Sequence, residues 1–239
     1  GSIQGMIKAL NIPMFGTGVL GSAISMNKIV AKRLLQDAGI PVTKFLAYHF
    51  SQKEKIKFDT VERQVGLPFM VKSASLGSSV GVIKVSKKAD FKNALDEAFR
   101  YDHEIIIEEF LIGREIECAI LGNTPGEASN PGEIIISNEY EFYTFDAKYV
   151  DPKAVDIKVP ADLSKDLVKK IREVSLQAYQ ALHCEDFSRV DLFLTKKGKI
   201  FVNEINTIPG FTNSSMFPMM WNEHGISFID LITKLINLA

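Results

Sequence analysis

Hydrophobic positions along the chain switch between helical and strand periods, so both element types are predicted. Ile3, Met6, Ile7 and Leu10 recur at helical spacing behind Ser2, a capping residue, and stop at Asn11 before Pro13. A second stripe of Ile24, Ile29, Leu34, Leu35 and Ala38 predicts a helix from about 23 to 37, closed by Gly39 and Pro41. The period then shortens. Strands are predicted over 67–71 and 80–85, a short helix over 90–99, and strands over 104–110 and 115–122. The run 123–162, rich in Pro, Gly, Tyr and Phe, reads as a long irregular segment. Leu167, Ile171, Val174, Ala178 and Leu182 mark the longest helix, about 164–182, and a last helix is expected near 228–238. The pattern is that of an α+β protein with antiparallel hairpins and helices on one side.

The stretch Arg189 to Asn206 alternates with period two on both sides of Lys197-Gly198, which predicts a hairpin with a two-residue turn. Thr195 then pairs with Ile200, Asp191 lies opposite Glu204, and Arg189 lies opposite Asn206. All four of these site residues share one face, together with Phe193, Ile200 and Val202. Like charges across a ladder repel, so facing carboxylates call for a cation. Mg²⁺ suits, since it takes oxygen ligands from one or two carboxylates plus substrate phosphates. An ordinary solvated face is the alternative, and a one-residue slip or a bulge would separate the acids.

Composition narrows the class. The 239 residues suit one large domain or two ordinary ones, and 24% charged with 46% hydrophobic residues is a globular composition. A net charge of −1 leaves no basic excess for nucleic acid. No apolar run approaches the roughly 18 residues of a membrane helix, and no signal peptide is visible. Cys118 and Cys184 stand far apart in unrelated contexts, which fits a reducing cytosol and no disulfide framework.

Two further segments carry chemistry. Between the strands at 67–71 and 80–85, Lys72 precedes Gly77, Ser78, Ser79 and Gly81. Such a loop can turn backbone N–H groups and hydroxyls toward phosphate, though it is not a Walker loop, and a plain flexible turn is the alternative. Glu108 and Glu109 close a strand and Glu115 opens the next, so backbone groups there could meet a purine edge and Glu115 a ribose hydroxyl. Read alone, the stretch is better explained as a charged edge between strands. Lys28, in the first turns of a helix, reads from spacing as a solvated lysine. His49, His103, His183 and His224 show no metal-ligand spacing.

Taken in order, these residues resemble a known family. Ser2-Ile-Gln-Gly5, Met26-Asn27-Lys28, Val71-Lys72 with Gly77-Ser-Ser-Val-Gly81, and Glu108 to Glu115 match the D-alanine–D-alanine ligases of the ATP-grasp superfamily. The match continues through Ala147-Lys148-Tyr149, Arg189-Val-Asp191, Asn203-Glu-Ile-Asn-Thr-Ile-Pro-Gly210 and Phe211-Thr-Asn-Ser-Ser215. Asn27 stands where such ligases usually have Asp, and Glu109 where many have Lys.

The resemblance implies an ATP-grasp fold, two α+β subdomains whose antiparallel sheets grip ATP. Residues 1–17 would be the remnant of an N-terminal domain, 18–110 the central subdomain and 111–239 the C-terminal one. It implies phosphorylation of one D-alanine by ATP, attack of a second D-alanine on the acylphosphate, and release of dipeptide for peptidoglycan precursors. Asp191, Glu204 and Asn206 would hold two Mg²⁺ (or Mn²⁺) ions, and Lys28, Lys72 and Ser79 would face phosphates, which reverses the solvated reading of Lys28. Arg189 and the backbone of Gly210 would face the oxyanion, Ser78 would hold the first substrate, and Ser215 and Met216 the second carboxylate. Glu115 would take the ribose, with Glu108 and Leu111 near adenine. The irregular segment would be an ω-loop whose Lys148 touches phosphate and whose Tyr149 reaches Ser78; D-alanine–D-lactate ligases lack that pair, so Tyr149 favours the dipeptide.

These ligases carry an N-terminal domain before Ser-Ile-Gln-Gly that supplies a glutamate for the first D-alanine. The chain as it stands is therefore expected to bind Mg-ATP and make little dipeptide. The expected partners are ATP and D-alanine, with no nucleic acid or membrane, in the cytoplasm, and as a homodimer where the N-terminal domain is present. A different ATP-grasp carboxylate–amine ligase, or a nucleotide-binding module, are the other readings.

Overall fold

The computed structural model describes residues 1–78, 80–123, 126–137 and 154–239. Its first helices are α1 (Ser2–Ala9), α2 (Val19–Met26) and α3 (Lys28–Asp37). Gly1 holds the N-cap of α1 without a side-chain bond, so Ser2 is inside the helix and caps nothing. The helix expected over 23–37 is two helices. Asn27 breaks it, because its Oδ1 accepts from the N–H groups of Ile29 (3.0 Å) and Val30 (3.1 Å) and restarts the chain as α3.

Four strands build the first sheet: β1 (Phe45–His49), β2 (Phe69–Ser73), β3 (Val82–Val85) and β4 (Glu104–Glu109). They pair antiparallel in the order β1-β4-β2-β3. Helices α4 (Phe58–Val65) and α5 (Lys88–Tyr101) cover one face, burying Val61, Phe69, Val71, Phe91, Ile105 and Ile107 together. Alternation sends the intervening Lys72, Ile106 and Glu108 to the other face. The sequence pattern missed β1 and α4.

The second sheet holds β5 (Arg114–Leu121), β6 (Glu127–Ala128), β7 (Gly132–Ile136), β8 (Val155–Lys158), β9 (Phe187–Leu194) and β10 (Ile200–Asn206). Its order is β10-β9-β5-β7-β8, with β6 on β5, again antiparallel. Three of these strands fall inside the segment expected to be irregular. They escaped notice because β6 and β8 are very short and the three successive isoleucines of β7 do not alternate. Helix α6 (Lys165–Ala181), capped by Ser164, packs with α3 on one face over Ile116, Cys118, Val190, Leu192 and Val202. Helices α7 (Met216–Glu223) and α8 (Phe228–Ile236) cover part of the other face around Ala119, Phe187 and Trp221. The uncovered remainder of that face looks across a cleft to the polar face of the first sheet.

Candidate active site

The hairpin β9–β10 sets the acidic wall. Its turn is a three-residue loop, with Thr195 N–H donating to Lys199 O and Gly198 N–H to Thr195 O, each at 2.9 Å. Gly198 supplies the positive φ of 74° that such a loop needs. Near the turn, Ile200 pairs with Leu194 and Val202 with Leu192, one residue away from the expected register. A bulge at Asn203 restores it, so Asp191 faces Glu204 and Arg189 faces Asn206. The expected face therefore needs correction: Ile200 and Val202 lie in the core with Leu192 and Leu194, and Phe193 pairs with Phe201.

Strand β5 adds a carboxylate that sequence reasoning missed. Glu117 lies beside Asp191 in the ladder, so Glu117, Asp191 and Glu204 form a row across three strands. Arg189 bridges it. Its guanidinium grips Asp191 at 2.7 and 2.8 Å and approaches Glu117 Oε2 at 3.0 Å. Burial would lower the guanidinium's pKa, but the charges of Asp191 and Glu117 outweigh it and raise it. Asn206 Nδ2 donates to Asp191 Oδ2 at 2.8 Å. The donor set of two facing carboxylates and an amide carbonyl is all oxygen, which fits Mg²⁺ shared with phosphates. Asp191 is held meanwhile by Arg189, whose positive charge it shares with Glu117.

Helix α3 and the first sheet supply the basic wall. Lys28 Nζ lies 3.6 Å from Glu204 Oε2 and donates to Leu76 O at 2.5 Å, and its side chain is 12% exposed. The solvated reading of this lysine is overturned; the break at Asn27 aims it across the cleft. Lys72, on β2, is ion-paired to Glu108 Oε1, and Lys32 Nζ lies 2.6 Å from Glu108 Oε2. Burial opposes ionisation of Glu108, yet the two lysines prevail and hold its carboxyl far below the usual range. Burial likewise works against Lys72, and Glu108 outweighs it to raise the ammonium pKa. Asn27 Nδ2 also donates to Glu104 Oε2 at 3.2 Å. An Asp at position 27 would cap as well but would set two carboxylates together. Glu109, the other departure from the family pattern, accepts from Lys44 N–H at 2.8 Å.

Between the walls lies a cleft of about 420 Å³, lined by Lys28, Lys72, Ser78, Glu108, Leu111, Glu115, Glu117, Arg189, Asp191 and Glu204. Phe110 lines it too, with Lys84 Nζ 4.3 Å from the ring centroid. The flap over the cleft turns at Gly81, whose φ is 66° and where a Cβ would stand 2.6 Å from Ser73 Oγ. Gly210 and Ser215 meet on the loop after β10: a Cβ at Gly210 would lie 3.0 Å from Ser215 Oγ, which accepts from Thr212 N–H at 3.0 Å. Met216 is different. Its side chain, on the first residue of α7, is buried in the core beside Ala119 and Trp221, so only its main chain can face a ligand. Ser79, Lys148 and Tyr149 lie outside the described residues.

Lys32 and Glu117 left weak traces in the sequence. Glu117 is the next outward position after Glu115 on an alternating strand, and Lys32 sits one helical turn after Lys28. Neither position announces its partner.

Two antiparallel sheets closing on a cleft, one wall carrying lysines and the other carboxylates, define an ATP-grasp fold. The family model for the D-ala D-ala ligase C-terminus matches residues 34–237, and the chain belongs to that family. The chain is 50% identical over 239 residues to a D-alanine–D-alanine ligase of Oceanobacillus iheyensis, covering all of this chain and 65% of the relative. It is 46% identical to D-alanine–D-alanine ligase A of Escherichia coli, with the same coverage of both chains. Among solved structures it is similar to the D-alanine–D-alanine ligase of Coxiella burnetii, with a TM-score of 0.87 and 37% identity over 100% of this chain and 64% of that one. A D-Ala:D-Ser ligase of Enterococcus faecalis superposes with a TM-score of 0.91 at 37% identity, covering 100% and 68%. The chain thus spans 65% of the length of these curated relatives.

Proposed function

We propose that this chain is the ATP-grasp part of an ADP-forming D-alanine–D-alanine ligase that serves peptidoglycan precursor synthesis in the cytoplasm. The observation that carries this is the pairing of Lys28 and Lys72 on one wall with Asp191 and Glu204 on the other, across one cleft. Nucleotide phosphates between the walls meet ammonium groups on one side. Asp191, Glu204 and Asn206 would hold Mg²⁺ on the other, and the metal supplies neutralisation of the transferring phosphoryl group. Glu108 and Leu111 lie toward adenine, Glu115 toward the ribose. We assign residues 18–110 and 111–239 to the central and C-terminal subdomains, and dimer formation to sequence outside them.

The chemistry assigned to the chain's own groups follows from charge. Lys28 and Lys72 draw charge from the phosphoryl group as it moves to the carboxylate of the first D-alanine, which Ser78 helps hold. Attack by the amine of a second D-alanine creates an oxyanion, and fixed donors act most strongly there. Arg189 and the Gly210 N–H are those donors. Ser215 Oγ and the N–H groups at the start of α7, Met216 included, hold the second carboxylate.

The test is ATP-dependent release of ADP and phosphate by the full-length protein with D-alanine. D-alanyl-D-alanine is expected as product, and ATP turnover with no dipeptide would sink the reading. The likeness to a D-Ala:D-Ser ligase favours a second reading. D-serine offered beside D-alanine decides between them by the product formed.

A further inference from the structure

Lys32 has no place in the chemistry above, yet it is the one lysine or arginine buried in the core among the described residues, at 1% exposure. A buried ammonium carries a large desolvation cost unless it is paired, and an apolar residue on that face of α3 would avoid it. Its partners are specific. Lys32 Nζ lies 2.6 Å from Glu108 Oε2 and donates to Thr43 Oγ1 at 2.7 Å, and the Thr43 hydroxyl donates in turn to Glu108 Oε2 at 2.7 Å. The other oxygen of the same carboxylate takes Lys72. Lys28 and Lys32 stand one helical turn apart, so α3 sends one lysine into the cleft and seats the other behind Glu108.

The charge count gives this arrangement its meaning. Burial pulls the pKa of Lys32 down and the charge of Glu108 opposes it. With both lysines protonated beside one carboxylate, the triad carries one net positive charge at the cleft wall. Without Lys32, Glu108 and Lys72 cancel. We propose that Lys32 is a positioning residue that occupies one side of Glu108, so that Lys72 keeps its charge for the phosphates of the nucleotide. Thr43 fixes the geometry by bridging the two. The proposal rests on the nucleotide reading of the cleft, and its test separates the two.

Equilibrium binding of ATP with excess Mg²⁺ is measured for the full-length protein, Lys32→Met, Glu108→Gln and the double variant. Lys32→Met is expected to weaken ATP binding about tenfold, a size typical of residues coupled through one buried network. In the Glu108→Gln background, where no carboxylate remains to cancel Lys72, the same change is expected to move affinity by less than about twofold. A merely structural lysine would cost the same in both backgrounds, and that result overturns the proposal. Unchanged ATP affinity in Lys32→Met overturns it as well. If Lys32→Met does not fold, the comparison of Glu108→Gln with the double variant decides alone, and a loss of about tenfold there overturns the proposal. Wild-type protein that binds no ATP removes the nucleotide reading itself, whereas binding by the wild type and by Lys32→Met alike removes only the role of Lys32.

Discussion

Glu204 stands directly across the ladder from Asp191 because a bulge at Asn203 cancels a one-residue offset set at the turn. The turn takes three residues instead of two, and the extra residue in β10 compensates. The pairing of the acids is therefore built by two irregularities of opposite effect. Asp191→Asn keeps this ladder and removes one charge, while Arg189 retains Glu117 at 3.0 Å. ADP release with D-alanine should fall by roughly 10²-fold or more, as for loss of one fixed charge-stabilising group. Turnover equal to wild type would remove Asp191 from the metal platform.

The same acids are balanced by the protein's own cations. Asp191 has Arg189, which it shares with Glu117, and a neutral amide donor in Asn206, and Glu204 has Lys28 at 3.6 Å. Stripping metal with EDTA should therefore abolish ADP release and move the melting temperature by no more than about 2 °C, under roughly 1 kcal/mol for a chain of this size. A much larger drop would mean that the acids need a metal to fold.

Stability should depend on acid pH through Glu108. Its pKa in the folded state lies well below the ordinary value of 4.5 because Lys32 and Lys72 favour the carboxylate over the cost of burial. A depressed carboxyl contributes stability above its unfolded pKa and loses it as pH falls toward the folded value. Denaturant titrations should show stability declining from about pH 4.5 downward, with a shallower decline in Glu108→Gln. Equal slopes would show that another carboxyl dominates the acid limb.

Gly81 and Gly198 share a positive φ but differ in surroundings. At Gly198 a Cβ meets open space, so Gly198→Ala should cost about 1 kcal/mol from backbone strain alone. At Gly81 the Cβ would stand 2.6 Å from Ser73 Oγ, which is held by its bond to Ala98 O. Gly81→Ala should cost about 2–3 kcal/mol, since crowding adds to strain. Chemical unfolding of both variants compares them, and equal losses would mean that Ser73 yields freely.

Legibility followed sequence separation. The hairpin acids lie 13 positions apart across a local turn, and the two-residue turn read from the sequence matched Asp191 to Glu204 because the longer turn and the bulge at Asn203 cancel. Lys72 and Glu108 lie on different strands, and only the β2–β4 ladder puts them on one face. Helix propensity did not reveal the break at Asn27, because the apolar stripe continues through it and only the side-chain bonds to Ile29 and Val30 stop the helix. That break changed Lys28 from a surface lysine to a cleft lysine. Strands β7 and β8 stayed hidden because the isoleucines of β7 run in succession and the alternation of β8 lasts only four residues, although the two pair through four residues.

By itself the sequence determined the α+β class, the longest helix and the common face of Arg189 and Asp191, since each depends on periods of two or 3.6 residues within one stretch, whereas the facing of Asp191 and Glu204 also needed the bulge at Asn203. The ordered motifs also determined the family, because each is a short run of neighbours. Only the tertiary structure decided that Glu117 joins Asp191, that Lys32 backs Glu108, and that lysines face carboxylates across one cleft. Those relations join residues tens of positions apart, and their energy comes from burial and charge pairing between elements. A local pattern records which face a side chain takes; its partner on that face is settled by which elements pack together.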